Sequence, residues 1–145
     1  MLLPPPQAGQ VIRYAYLWAD EHASGREEGV KDRPAVITMA LFTAHQQQRV
    51  VVVPITHSLP SADVDALELP RAIKRHLHLD DERSWVILSE INVFTWPGPD
   101  LRPVTDVEPA TVLYGYLPAG LFRQLRDRLA ANIRAGQIRQ VPRTE

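Results

Sequence analysis

The sequence predicts one mainly β domain with a short helix midway and a longer amphipathic helix at its C-terminal end. Two observations predict this fold class. Apolar, β-branched segments recur along most of the chain and are separated by polar turns. Near the C-terminus, leucines repeat every four residues, which is typical of a helix with one apolar face. A curved sheet or small barrel covered by the terminal helix is the architecture that this order favours.

The first half of the chain is predicted to hold three strands. Residues 11–18, 34–43 and 49–55 are rich in β-branched and aromatic side chains, and a glutamine-rich turn separates the last two. Four consecutive valines in the third strand indicate burial on both faces or curvature across a barrel. Pro54 is expected to end its regular pairing, because proline has no N–H to donate. Residues 20–32 are expected to form a long polar loop.

The second half is predicted to alternate short elements before the final helix. A short strand over residues 66–69, a short helix over 70–77 and a strand region over 84–96 are expected. The final helix carries an apolar stripe of Leu121, Leu125, Leu129 and Ile133. Gly136 is expected to end this helix.

The length and composition suit one domain with a sizeable core, since the chain has 145 residues. We expect this domain to span residues 1–145, with a flexible lead-in over 1–8 and a flexible tail over 137–145. The absence of cysteine excludes disulfide frameworks, zinc–thiolate sites and thiol nucleophiles. It also fits a reducing cytoplasm, and no apolar segment has the length of a membrane span or a signal peptide. We therefore expect a cytoplasmic protein with no membrane partner.

The net charge argues against a duplex-binding protein, and the spacing of two histidines argues against a metal site. The formal net charge of -1 counts against simple binding to duplex nucleic acid, which requires many cations, although a local basic groove stays compatible with it. His76 and His78 suggest a metal site at first, but residues two apart on a helix point to different faces. Neither a metal nor another cofactor is expected.

Two polar positions at predicted strand ends are the main candidates for chemistry. Arg33 closes the polar loop before the second strand, and Thr56 follows the third strand. Charged loops on rigid scaffolds often carry function. An arginine guanidinium matches two phosphate oxygens, and a threonine hydroxyl can donate to the same phosphate. Taken alone, each residue has a plainer interpretation: Arg33 as a solvated loop arginine and Thr56 as a hydroxyl that caps a turn.

Four segments carry a resemblance to a known family. They are Gly9-Gln10-Val11-Ile12, then Glu28 with Arg33-Pro34-Ala35-Val36-Ile37, then Val53-Pro54-Ile55-Thr56, and finally Arg83-Ser84-Trp85-Val86-Ile87-Leu88-Ser89-Glu90-Ile91. In order and spacing, and with the terminal helix, they resemble the MazF/PemK-like toxins of bacterial toxin–antitoxin systems. The resemblance covers about residues 9–135. It implies a small SH3-like barrel of the CcdB/MazF type that forms a homodimer.

The resemblance also implies an activity. Members are sequence-specific, metal-independent endoribonucleases that cleave single-stranded RNA to 2′,3′-cyclic phosphate and 5′-hydroxyl ends, and a cognate antitoxin protein binds them. Arg33 and Thr56 take the positions of the catalytic arginine and threonine, and Glu28 matches an acidic loop residue near the site. A related branch poisons DNA gyrase by binding it. The alternative is therefore a non-catalytic barrel protein that acts by protein binding, either as a gyrase poison or as a degenerate toxin.

Other residues near these two positions are candidates for supporting roles. The 2′-hydroxyl of RNA can itself attack the neighbouring phosphate, so the protein must position the strand, stabilise the dianionic transition state and move protons. His57 is the nearby side chain of the type that exchanges protons near neutral pH, and Ser58 follows it. Arg26 and Lys31 could supply charge to an RNA strand. Candidate platforms for base stacking are Tyr16, Trp18, Trp85 and Trp96, although such residues are more often core.

The segment over residues 70–80 is an insertion relative to typical family members. It contains a short basic helix, and it lies where members often have a loop beside the RNA groove. It could line the groove, cover it or replace part of it. The sequence leaves these three alternatives open.

Overall fold

The computed structural model describes residues 1, 3–25 and 31–143. Over these residues the chain is mainly β with a few helices, as the sequence predicts. The elements in chain order are β1 (Gln10–Tyr14), α1 (Ala19–Ala23), β2 (Arg33–Phe42), β3 (Gln48–Thr56), β4 (Ala66–Glu68), α2 (Arg71–His76), β5 (Trp85–Ile87), β6 (Glu90–Trp96), β7 (Leu113–Tyr116), α3 (Ala119–Arg134) and β8 (Arg139–Pro142). Among the described residues, no helix combines the length and apolar composition that a bilayer crossing requires.

Strand β3 lies at the centre of the sheet because it pairs with three other strands. β2 runs antiparallel along one edge of it. On the other edge, β6 pairs with residues 48–52 and β5 pairs with Ile55 and Thr56. Pro54, which has no N–H to donate, lies where the partner changes. The strand order is β4-β5-β3-β2-β1-β7, with β6 on β3 and β8 on β6, and only the β6–β8 pair among these is parallel.

The sheet buries apolar side chains on both faces. Val50 and Val52 of β3 belong to one buried cluster, together with Tyr14 and Phe94. Val53, Ile55 and the α3 leucines belong to the other cluster. Because neighbouring residues of a strand point to opposite faces, this division follows from the alternation along β3. The prediction that the valine run is buried on both faces is confirmed.

Helix α3 is fixed to the sheet by apolar and polar contacts. Leu125 and Leu129 are buried, as the four-residue repeat predicts, whereas Ile133 is 48% exposed and lies outside the core. On an adjacent face, Asn132 Nδ2 donates to Asp65 Oδ2 at 2.8 Å and to the Leu88 carbonyl at 2.9 Å. Arg128 also pairs with Asp65. These polar contacts set where the helix ends relative to β4 and β5.

Two predictions about irregular segments were wrong. The predicted polar loop over residues 20–32 begins as helix α1, and Glu21 Oε1 accepts a hydrogen bond from the Trp18 N–H at 3.0 Å at its first turn. The predicted flexible tail over residues 137–145 contains β8, which pairs with β6. A strand of only four residues carries too short a pattern to be recognised beside a helix.

Buried polar side chains hold the backbone between β1 and α1. Asn92 Nδ2 donates to the Leu17 carbonyl at 2.7 Å, and the Leu17 N–H donates back to Asn92 Oδ1 at 3.0 Å. Glu90 Oε1 accepts from the Ala19 N–H at 2.8 Å. Arg143 Nη1 donates to the Ala15 carbonyl at 2.9 Å. These side chains supply hydrogen bonds that a neighbouring strand would otherwise provide.

Arg143 also forms an ion pair in the interior, and this pair is testable. Its Nη2 lies 2.8 Å from Asp100 Oδ1, and the two side chains are 1% and 8% exposed. Removal of one partner of a buried pair typically costs about 3–5 kcal/mol. We expect Arg143→Met to lower the free energy of unfolding by that amount, measured by urea unfolding with circular dichroism.

Arg139 provides the matched control. It pairs with Asp20 at 2.7 Å, but the two side chains are 56% and 90% exposed. Exposed pairs contribute little because water screens them. Arg139→Met should leave the unfolding midpoint nearly unchanged, and equal losses in the two variants would contradict the importance assigned to the buried pair.

Candidate functional site

The register between β2 and β3 brings the two main candidate residues together. Ala35 pairs with Pro54 and Val36 with Val53. The same antiparallel register, continued by two residues, places Arg33 across from Thr56. Residues opposite each other in such a pair point to the same face of the sheet. Arg33 and Thr56 therefore lie side by side at one end of the hairpin.

Two cavities meet at this point. The first cavity has a volume of about 520 Å³ and the second about 350 Å³. Four residues line both of them and so form their shared wall, namely Lys31, Arg33, Thr56 and His57. Both volumes fall within the range of about 300–1,000 Å³ that is common for ligand sites. The shared wall thus presents two cations, a hydroxyl and an imidazole between two spaces.

The two cavities differ in chemistry. The first is mostly polar and is lined also by Arg13, Asp32, Lys74, His78, Asp80 and Tyr114. The second has apolar walls with carboxylates among them and is lined also by Trp18, Asp20, Leu59, Val64, Ile87 and Glu90. Ser58, a predicted supporting residue, lines the second cavity only.

Arg33 is half-buried, and one donor of its guanidinium has no partner among the described residues. Its Cζ lies 5.0 Å from the centre of the Trp18 ring, a cation–π contact. Its Nε is buried and has no hydrogen-bond partner among the described residues. Burial lowers the pKa of Arg33, while nearby Glu21 and Tyr16 raise it. A buried N–H without a partner is costly, so an anion that accepts this bond is stabilised here.

Thr56 combines the turn role with an available proton. It is 7% exposed, and its Oγ1 accepts a hydrogen bond from the Ser58 N–H at 3.1 Å. This hydroxyl therefore caps a turn, as the plainer interpretation of Thr56 predicts. Because the hydroxyl only accepts in that bond, its own proton stays available to a ligand at the shared wall.

His57 is held between two carboxylates from the inserted segment. Its Nε2 lies 2.7 Å from Asp80 Oδ2 and its Nδ1 lies 3.4 Å from Glu82 Oε2. Asp80 Oδ1 also accepts from Lys74 Nζ at 2.6 Å. Burial disfavours the Asp80 anion, but hydrogen bonding and charge from Lys74, followed by His57, hold the pKa of Asp80 below its usual range.

The buried Lys74 ammonium connects several residues of this segment by hydrogen bonds. It is only 4% exposed, and its ammonium donates also to Ser84 Oγ at 2.7 Å and to the Glu82 carbonyl. Through Asp80, this network connects α2 to His57 at the end of β3. The segment over residues 70–80 therefore lines the first cavity, to which it contributes Lys74, His78, Leu79 and Asp80.

His57, Asp80 and Glu82 also form a group with metal-binding atoms. One ligand atom from each lies within 4.8 Å of the others, and all three residues are exposed. The Lys74 ammonium already supplies positive charge to Asp80. Its position beside the carboxylate competes with a cation for that ligand.

The charges around the first cavity are unequally neutralised. Asp32 lies between Arg13 at 3.6 Å and Arg102 at 3.5 Å. Asp80 is likewise paired with Lys74 and His57. Lys31 and Arg33 form no ion pair within the described part of the chain. The shared wall therefore carries Lys31 and Arg33, with the Glu21 carboxylate near the Arg33 guanidinium.

Other predicted residues have different outcomes. Arg26 and Glu28 lie outside the described residues. Tyr16 is fully buried and Trp85 is 8% exposed, so neither offers a face for base stacking. The sequence analysis assigned no role to Lys74, Asp80 or Glu90. Glu90 was detectable as a single acidic residue within the apolar run that forms β5 and β6.

Glu90 is a buried carboxylate at the second cavity. It is 9% exposed, and its Oε1 accepts hydrogen bonds from the Ala19 N–H at 2.8 Å and the Tyr16 hydroxyl at 3.3 Å. Burial raises the pKa of Glu90 despite these hydrogen bonds. Its Oε2 accepts none from the residues that the structure describes. Within the described part of the chain, this second oxygen is therefore available to donors from a ligand.

Comparisons with known proteins do not assign a family. No model of a known protein family matches this chain, and a search of curated proteins finds no match. The resemblance to MazF/PemK-like toxins therefore depends on its sequence segments alone.

The Asp80 network predicts an acid-sensitive contribution to stability. Because the pKa of Asp80 is lower in the folded chain, the unfolded chain binds more protons as the pH falls below about 4. Stability should therefore decrease with falling pH in that window. We expect Asp80→Asn to lose less stability than the wild type between pH 5 and pH 3, measured by urea unfolding. The exposed neighbour gives the control, since Asp81→Asn should keep the wild-type pH dependence.

Proposed function

We propose that this chain is a metal-independent endoribonuclease of the MazF/PemK-like toxin type, built on an SH3-like barrel. It would cleave single-stranded RNA to a 2′,3′-cyclic phosphate and a 5′-hydroxyl. The observation that carries this proposal is the position of Arg33 and Thr56 on the shared wall of two cavities. A phosphate at this wall would have one neighbouring nucleoside in each cavity.

The shared wall has the groups that this reaction needs. Arg33 offers planar donors, including an Nε without a partner among the described residues, and Lys31 adds charge. These groups would stabilise the dianionic phosphorus of the transition state. Thr56 would donate its hydroxyl proton to a phosphate oxygen. The 2′-hydroxyl of the substrate supplies the nucleophile, so no group on the enzyme has to form a covalent bond.

Proton transfer is assigned to His57. It follows Thr56 directly, and Asp80 at 2.7 Å orients its ring in the way that a carboxylate orients a catalytic base. Glu82 lies farther from the other ring nitrogen, at 3.4 Å, and is 71% exposed. Displacement of Glu82 by an incoming 2′-hydroxyl would place Nδ1 next to the reacting oxygen.

The shape and charge of the site support an unpaired RNA strand as substrate. The shared wall carries the cations Lys31 and Arg33, while the chain as a whole has a formal net charge of -1. Duplex binding requires cations along an extended surface, whereas single-stranded RNA can place its splayed bases in separate pockets. The protein would act in the cytoplasm, where such RNA is found.

Exposed apolar residues support protein partners, and they favour a second candidate function. Met39 is 45% exposed, Leu41 56% and Phe42 73%, all at the far end of β2. Exposed apolar groups of this size are typical of protein interfaces. We propose a second copy of the chain and a cognate antitoxin as partners. The second candidate is a non-catalytic barrel protein that acts through such an interface alone.

Substitution of the wall residues tests the proposed activity. We expect Arg33→Ala to lower the rate of RNA cleavage by about 10²–10³-fold, the usual cost of removing one transition-state donor. Arg33→Lys should lose nearly as much, because lysine lacks the planar fork. Thr56→Ala should lose about tenfold, equivalent to one neutral hydrogen bond. Cleavage of a long single-stranded RNA in EDTA, followed by gel electrophoresis, measures these rates.

Controls of the same residue type separate catalysis from folding. Arg126 is exposed on α3. Thr43 caps a turn as Thr56 does, because its Oγ1 accepts a hydrogen bond from the Gln47 N–H at 3.3 Å. Arg126→Ala and Thr43→Ala should cleave at the wild-type rate. Undiminished cleavage by both wall variants would remove the site assignment. No cleavage by the wild type, together with growth arrest on expression, would favour the binding candidate.

A further inference from the structure

The second cavity has the composition of a pocket for a flat ring with polar edges. Trp18, Leu59, Val64 and Ile87 provide apolar walls. Leu59 is 74% exposed, so part of this apolar surface faces solvent. Nucleobases bind proteins by placing their faces against apolar or aromatic groups and their edges against hydrogen-bonding groups. The walls suit any base, and selectivity must come from the polar groups.

The polar groups that line this cavity include two carboxylates. Glu90 is buried and has one oxygen that accepts no hydrogen bond from the described residues. Asp20 lines the same cavity and is 90% exposed, where it pairs with Arg139. An ionised carboxylate has acceptors only. The hydroxyls of Ser58 and Ser89, which can donate or accept, also line the cavity, and the cations Lys31 and Arg33 lie on the shared wall, where the phosphate is placed.

A carboxylate that receives the Watson–Crick edge distinguishes among the four bases. Guanine presents two adjacent donors, N1–H and the N2 amino group, on its Watson–Crick edge. Adenine, cytosine and uracil each place a lone pair next to their donor on that edge, and a carboxylate repels it. Burial raises the pKa of Glu90, so two donors from a ligand would also stabilise its anionic form.

We propose, as an extension of the proposed function, that the second cavity binds the guanine base next to the scissile phosphate, with Glu90 accepting hydrogen bonds from its Watson–Crick edge. Glu90 then determines specificity, while Arg33 and Thr56 act on the phosphate. The flanking base on the other side of the phosphate would occupy the first cavity.

Binding measurements test this assignment without any requirement for cleavage. The probes are the dinucleotides dGpU and dUpG, whose 5′ sugar lacks the attacking 2′-hydroxyl, and their inosine counterparts, which lack only the N2 amino group. The protein is ¹⁵N-labelled, and amide shifts are followed by NMR during titration. We expect the guanine dinucleotide of one order to bind at least tenfold more tightly than the inosine one, since a hydrogen bond to a charged group is lost.

Glu90→Gln is the discriminating variant. Glutamine keeps the oxygen that accepts from the Ala19 N–H, and it replaces the free oxygen with a donor. The preference for guanine over inosine should disappear in this variant, while its amide spectrum stays that of a folded chain. Asp80→Asn removes a carboxylate from the first cavity only, and it should keep the preference.

Two results would overturn the assignment. One is equal affinity of the wild type for guanine and inosine dinucleotides in both orders. The other is a preference that persists in Glu90→Gln. The proposed function can fail separately. Guanine-selective binding without RNA cleavage would support the guanine pocket and contradict the nuclease activity. Cleavage on either side of all four bases at equal rates would support the nuclease activity and contradict the guanine pocket.

Discussion

The antiparallel register of β2 on β3 is the constraint on which the site depends. It places the first residue of β2, Arg33, against the last residue of β3, Thr56. A shift of one residue would turn one of the two side chains to the opposite face of the sheet. Burial of β3 on both faces fixes this register, because a slip would exchange the two apolar clusters. The core thus determines the position of the polar residues at the strand ends.

A second constraint is the buried polar network around β6. Glu90, Asn92 and Arg143 hold the backbone of residues 15–19 with side-chain hydrogen bonds. That backbone carries Trp18, whose ring lies beneath the guanidinium of Arg33. The free-energy cost of burying these polar groups is offset only when each group forms a hydrogen bond or an ion pair. The hydrogen bonds that stabilise this network therefore also hold the Trp18 ring in place beneath Arg33.

The sequence predicted the features that depend on local patterns. The β-branched runs predicted β2 and β3, and the four-residue leucine repeat predicted α3. Residues that meet only through long-range packing were not predictable in this way. Lys74 and Asp80 reach His57 from an inserted segment, and Arg143 reaches Asp100 from another end of the chain. Helix α1 and strand β8 are too short for their periodicity to stand out.

The local balance of charge explains how a chain with no excess of positive charge could attract an anion. Each carboxylate of the first cavity that faces a cation is neutralised nearby: Asp32 by Arg13 and Arg102, and Asp80 by Lys74 and His57. These contacts neutralise the two carboxylates, and the group of Arg13, Asp32 and Arg102 keeps an excess of positive charge. Lys31 and Arg33 form no ion pair in the described part of the chain, although the Glu21 carboxylate lies near Arg33. In a partly desolvated site their charge would act over a short distance with little screening, and under the proposed function it would direct the phosphate to the wall that Thr56 and His57 also line.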